Sequence, residues 1–267
     1  GTLYMNFETL FGGQKPIIGM VHLRPLPGAP NYGGSMEEIW DAALADLEAL
    51  TEGGITAAIV ENFGDVPYTG AIEPITVNAM AIMLDRLMHE ASIPLGVNVH
   101  YNCTDDEWNL AYLTGAAFLR VETFSENRMG PNGIFTASAP SLMRRRARYP
   151  GKSMIFADIH VKHTFPMVDQ PTAFTIDSAI ESGADALIVT GLQTGSAPTL
   201  DEVRKMKSLA HGRPVLIGSG IKDSTIAGYL SVADGVIVGS SIKKDGNVWN
   251  AVDAQRVRRL VDSAQGK

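Results

Sequence analysis

Pro214-Val215-Leu216-Ile217-Gly218-Ser219-Gly220-Ile221 and, a little further on, Ala233-Asp234-Gly235-Val236-Ile237-Val238-Gly239-Ser240-Ser241 follow one pattern. Each is a short apolar, β-branched run that stops at Gly and Ser. A strand covered on both faces has no polar side to alternate with, so such runs read as buried parallel strands. Gly lets backbone N–H groups approach a ligand, and Ser adds hydroxyl donors. Two such ends side by side form an anion cradle, in the corner after strands seven and eight where (β/α)8 barrels bind phosphate. The candidate phosphate contacts are Gly218, Ser219, Gly220, Gly239, Ser240 and Ser241, with Gly191 and Thr194 closing the other side. The plain alternative is a pair of ordinary strand-to-helix turns.

Working outward, the same lead-ins recur. Gly53-Gly54-Ile55-Thr56-Ala57, Gly115-Ala116-Ala117-Phe118, Gly183-Ala184-Asp185-Ala186 and Ala233-Asp234-Gly235-Val236 open the even strands. Three odd strands enter through proline, at Lys15-Pro16, Ile93-Pro94 and Arg213-Pro214. Gly just past a helix suits a left-handed cap, and Pro suits the first residue of a strand. The period is two βα units repeated four times, which closes as an eightfold ring more readily than as an open doubly wound sheet. The expected strands are Pro16–Leu23, Ala57–Asn62, Leu95–Tyr101, Phe118–Thr123, Met154–Val161 and Ala186–Thr190, followed by the two quoted runs. Capping boxes are expected at Ser35/Glu38, Thr104/Glu107 and Thr199/Glu202. The fold class is α/β, a single TIM-type barrel over residues 1–267, with residues 1–14 as an N-terminal extension. The Pro/Gly-rich stretch 24–34 is long for a bare connection and reads as a lid, or as a rigid loop over the barrel mouth.

The chain has 267 residues, 45% of them hydrophobic, which suits one barrel with a sizeable core. Its net charge of −7 makes nucleic acid and anionic membranes poor partners, so any anion must be caught locally. Cys103 is the single cysteine; that excludes an internal disulfide and any multi-cysteine zinc site. No secretory signal and no apolar run near membrane-spanning length is evident, and a cytoplasmic chain is expected. The Arg144–Arg148 cluster reads as a solvated helix face.

Function in such a ring belongs to the carboxyl ends of the strands. Period-two alternation puts Asp158, His160 and Lys162 on one face of strand five, and acid, imidazole and amine on neighbouring rungs suit proton transfer or imine chemistry. With Glu61 these form the candidate catalytic set. His22, Asn98, Arg120 and Glu122 are candidate substrate contacts, although a buried pairing of Arg120 with Glu122 or Glu61 would serve the fold alone. No cofactor is expected. A divalent metal on His22, His100, Asp158, His160 and His163 is the alternative to weigh, against which stands the lysine among them. Lys162 has two readings. An amine facing the pocket favours imine formation; an amine paired with Asp158 leaves His160 as the general base.

The chain also resembles a known family. The matching stretches are Lys15-Pro16-Ile17-Ile18-Gly19-Met20-Val21-His22-Leu23 with Pro25-Leu26-Pro27-Gly28, and Val60-Glu61-Asn62-Phe63-Gly64-Asp65. Gly96-Val97-Asn98-Val99, Ala157-Asp158-Ile159-His160-Val161-Lys162-His163, Gly218-Ser219-Gly220 and Gly239-Ser240-Ser241-Ile242-Lys243-Lys244-Asp245-Gly246 complete the set. In combination they are similar to the BtpA family, named for a photosystem I biogenesis protein and including SgcQ-type proteins found with sugar-uptake genes. The resemblance implies a TIM-type barrel with a phosphate-type corner and carries no reaction with it. Two functions follow as expectations: an enzyme on a small phosphorylated metabolite, by lyase, aldolase or isomerase chemistry, or a non-catalytic assembly or regulatory factor on a barrel scaffold. An exposed apolar patch outside the mouth would favour the second. A homo-oligomer is compatible with either.

Overall fold

The computed structural model describes residues 5–191 and 195–267, so Thr194 lies outside the described residues. Eight parallel strands close into a barrel: β1 (Ile17–His22), β2 (Ala57–Glu61), β3 (Leu95–Asn98), β4 (Phe118–Val121), β5 (Met154–Ile159), β6 (Ala186–Val189), β7 (Val215–Ile217) and β8 (Gly235–Ile237). Closure is made by β1 pairing β8, with Ile17 opposite Val236 and Ile18 opposite Ile237. Helices Met36–Gly53, Pro74–Glu90, Thr104–Thr114, Ala139–Arg148, Thr172–Ser182, Leu200–Leu209, Ile226–Leu230 and Ala254–Ala264 surround it. No described helix is long and apolar enough to cross a membrane.

Local signals explain most element ends. Ser35 Oγ accepts the Glu38 N–H at 3.2 Å, and Thr199 with Glu202 forms the full reciprocal box. The box expected at Thr104 does not form. The helix there is capped by Cys103, and the Glu107 side chain is fully buried against β3 instead. Gly54, Gly115 and Gly183 end their helices in the left-handed region, as a Cβ-free cap allows.

Period-two alternation then fills the barrel in layers. Ile18 and Met20, Ala57 and Ile59, Phe118, Met154 and Phe156, Ala186 and Ile188, Leu216 and Ile237 point inward and form one apolar cluster. Phe118 stacks on Phe156 at 4.5 Å, a pairing that contributes about 0.5–1.5 kcal/mol beyond the area it buries. Gly96 makes room for this: a Cβ there would lie 2.3 Å from the Phe118 ring. A short helix, Phe7–Phe11, seals the amino-terminal end of the barrel by packing Phe7 against Phe11 and Phe156.

Two rungs above the apolar layer, the same inward register reaches His22, Glu61, Asn98, Arg120, Asp158, Thr190, Gly218 and Gly239. The polar site is therefore the next layer of the core, at the end where parallel barrels open. Over it lies a three-stranded antiparallel sheet made of residues 128–130, 133–135 and 165–166, inserted after β4 and β5. The 24–34 segment packs elsewhere. Leu26 donates to Asp65 Oδ1 at 2.9 Å, Thr76 Oγ1 donates to the Pro27 carbonyl at 2.6 Å, and no residue of the segment lines the cavity.

Candidate active site

The mouth holds a cavity of about 420 Å³. Its floor is an ordered set of charges. Arg120 Nε and Nη2 donate to the two oxygens of Asp158 at 2.9 and 3.0 Å, with both residues buried. Burial works against the Arg120 charge, but Asp158 outweighs it and holds the guanidinium firmly protonated. Gly218 accommodates this pair: a Cβ there would meet Ile188 at 2.6 Å and Arg120 Nη2 at 2.9 Å.

Beside it, Asn98 Nδ2 lies 3.1 Å from each of Glu107 Oε1, the Arg120 carbonyl and Glu122 Oε1. Burial, reinforced by Glu122, raises the Glu107 carboxyl well above its ordinary value. His100 closes the group. Its Nε2 donates to Glu61 Oε1 at 2.7 Å, and its Nδ1 lies 2.8 Å from Glu122 Oε1. Burial alone would lower the imidazole, yet the two carboxylates raise it to about 10, while burial's upward pull on Glu61 is overcome by His100 and the acid falls far below the usual range. The Tyr68 ring stacks on this cation at 4.4 Å. His22 differs. Burial takes it down to about 3, so it is neutral, and its ring stacks on Phe63 at 4.1 Å.

Lys162 lines the cavity, and its amine has no hydrogen-bond or ion-pair partner among the described residues. Burial first, and the neighbouring Arg120 second, lower it to about 8. Glu61 and His100 are ionised through the neutral range and His22 is neutral there. Of these four groups Lys162 is the one whose charge state changes close to physiological pH.

The expected common face of Asp158, His160 and Lys162 is not realised. Strand β5 ends at Ile159, and His160 takes a φ of 55°, which breaks the alternation. Its ring turns to Glu126 and Thr172, each at 3.1 Å, away from the cavity, and its N–H donates to Glu126 Oε2. Asp158 sits beneath the floor, committed to Arg120. Glu61, Lys162, His22, Asn98, Arg120 and Glu122 do line the cavity together. His100, named in the sequence only as a possible metal ligand, joins them with Tyr68 and Tyr101, neither of which carried a signal, and Glu107 supports the set from behind through Asn98. Among the described residues no group of three or more His, Cys, Asp or Glu is arranged to hold a metal, since His160 is turned away and Asp158 is paired. Cys103 is buried, and burial pushes its thiol up to about 12.

At the other wall stand the ends of β7 and β8. Gly218, Ser219, Gly220, Gly239 and Ser240 line the cavity. The N–H groups of Ser219, Gly220, Ile221, Gly239, Ser240 and Ser241 have no acceptor among the described residues, which is the donor supply of an anion-binding nest. Gly220 has φ +75°, and a Cβ there would lie 2.3 Å from the Ala197 nitrogen. Gly191 and the Ser219 hydroxyl are committed elsewhere: Gly191 N–H donates to Ser219 Oγ at 3.0 Å, which itself donates to the Ser196 carbonyl at 2.7 Å. They shape the loop behind the nest and leave no donor for an anion.

The His100 clamp has a consequence for stability. Its folded pKa of about 10 lies above the ordinary 6.5, so its contribution is complete below pH 6.5 and is lost as pH rises through 10. The difference in urea midpoint between the parent and His100→Gln should shrink across that window. A difference that stays constant from pH 6.5 to 10 would contradict the clamp.

Comparisons with known proteins agree on family and architecture. The model of the BtpA family matches residues 13–266. The photosystem I biogenesis protein BtpA of Synechocystis sp. is 35% identical, over 98% of this chain and 90% of its own. The sgc region protein SgcQ of Escherichia coli is 31% identical, over 96% of each chain. Among solved structures, N-(5'-phosphoribosyl)anthranilate isomerase from Pyrococcus furiosus superposes with a TM-score of 0.56 at 13% identity, covering 94% of this chain and all of that one. At that identity the likeness concerns the barrel fold alone.

Proposed function

This chain belongs to the BtpA family, and from that premise we propose that it is an enzyme acting on a small phosphorylated metabolite, a sugar phosphate or nucleotide, by lyase, aldolase or isomerase chemistry. One observation carries the reading: Ser219, Gly220, Ile221, Gly239 and Ser240, whose N–H groups have no acceptor among the described residues, line the same cavity as Lys162. A phosphoryl group on the nest fixes one end of the ligand, and its carbon skeleton then extends toward Lys162, Glu61 and His22. Near pH 8 a large fraction of Lys162 is the free amine. It attacks a carbonyl carbon, the carbonyl oxygen leaves as water, and the resulting iminium withdraws electrons from the neighbouring bond. The isomerase above, whose name includes a phosphoribosyl group, supports the phosphate half of this by analogy of fold only.

The experiment is Ser240→Asp. A carboxylate beside the nest should lower the affinity for inorganic phosphate at least about tenfold by calorimetry, through like-charge repulsion. Unchanged affinity would move the anion site elsewhere.

A second reading, a non-catalytic assembly or regulatory factor, is favoured by one feature. Met129, Ile134 and Phe165 are cross-strand neighbours on the mouth sheet and are 49%, 58% and 70% exposed. Together they make an apolar patch of the kind that contacts other proteins.

A further inference from the structure

Behind the nest lies a second cavity of about 310 Å³, which shares Gly195, Gly220, Ile221 and Ser240 with the first. Its remaining wall is basic: Lys222, Arg256 and Arg259 line it, against one acid, Asp223. None of the three cations has a salt-bridge partner among the described residues. In a chain with 22 Lys and Arg against 29 Asp and Glu, three such cations around one opening are not what composition alone supplies. The nearby acid on their helix, Asp253, is committed to the N–H groups of Gln255 and Arg256. Arg256 is held in place by its Nη1 bond to the Ser241 carbonyl at 3.3 Å. The Ser241 hydroxyl oxygen is buried there with no partner. A buried hydroxyl and a guanidinium fixed beside it suit a phosphoryl oxygen, which takes charge-assisted donors.

We propose that this cavity is a second anion subsite and that the ligand is a diphosphate ester. One phosphoryl group rests on the Gly-Ser nest, and the next lies against Ser241, Arg256 and Arg259, with Lys222 at the rim. The shared wall of Gly220 and Ser240 places the two sites next to each other, as a diphosphate requires. The inference rests on the phosphate reading above and narrows its substrate class.

Calorimetry at fixed ionic strength with inorganic phosphate and with pyrophosphate tests it, since exposed charges respond to salt. The parent should bind pyrophosphate at least tenfold more tightly than phosphate. Arg256→Ala/Arg259→Ala should abolish that gain while phosphate affinity stays within twofold. Arg259→Ala alone, at an exposed position with no hydrogen bond to disturb, should remove part of the gain and guards against a local folding defect in the double variant. Equal affinity of the parent for the two anions overturns the second subsite and leaves the nest standing. So does a double variant that retains the full gain, or one that weakens both anions alike while Arg259→Ala changes nothing. Failure of the parent to bind either anion overturns the phosphate reading itself, and this inference with it.

Discussion

Lys162→Met should abolish the proposed turnover of carbonyl phosphates, by about a thousandfold or more, and leave phosphate affinity at the nest unchanged. The amine faces the cavity with no partner among the described residues, and burial and Arg120 bring it down to about 8. In the proposed chemistry the free amine is the nucleophile. Protonation below about 8 removes it, so kcat/KM should climb as pH rises toward 8 and level off above it. Borohydride added with a ketose or aldose phosphate should leave a mass adduct on Lys162. Turnover that survives Lys162→Met ends any essential role for the amine. A profile flat across pH 6–9 would assign the lysine to charge recognition alone. Absence of both adduct and phosphate binding would favour the assembly-factor reading, for which the exposed Met129, Ile134 and Phe165 provide the surface.

The second large effect is on stability. Arg120→Met should cost about 3–5 kcal/mol, because it strands the Asp158 carboxylate in the barrel with no counter-charge. For a domain of this size that lowers Tm by roughly 10 °C, at about 2–4 °C per kcal/mol. Replacing both partners, as Arg120→Met with Asp158→Leu, should recover most of the loss, since apolar residues of similar volume leave no buried charge. Urea unfolding of the two variants beside the parent decides it. A single variant as stable as the parent would mean that water reaches Asp158 and that the floor is not sealed. The same substitution removes a cation near Lys162, so its amine should titrate higher.

The barrel was legible because its determinants are local. The Gly and Pro lead-ins mark where each strand begins, and the β-branched runs of 214–221 and 233–241 announce strands covered on both faces. The inward register of β1 to β4 was equally plain, since alternation carries Ile59 to Glu61 and Phe118 to Arg120 within one regular strand. That reasoning stopped where regular strand stopped. His160 lies one residue past β5 with a positive φ, so counting in twos put its ring in a cavity it never enters.

Glu107 shows the other limit. By local pattern it is the acid of a capping box, yet its carboxylate accepts nothing from the helix end and instead accepts the Val99 N–H at 2.6 Å from inside the core. Which carboxylate meets which cation was likewise open: Arg120 chose Asp158, 38 positions away, and His100 took both Glu61 and Glu122. The sequence by itself determined the eightfold ring, the end of it where the polar side chains gather, and the two Gly-Ser turns after β7 and β8, because each follows from residues adjacent in the chain. Only the tertiary structure decided the pairings, the protonation states and the freedom of Lys162, because these depend on distance and burial among strands that meet solely when the barrel closes.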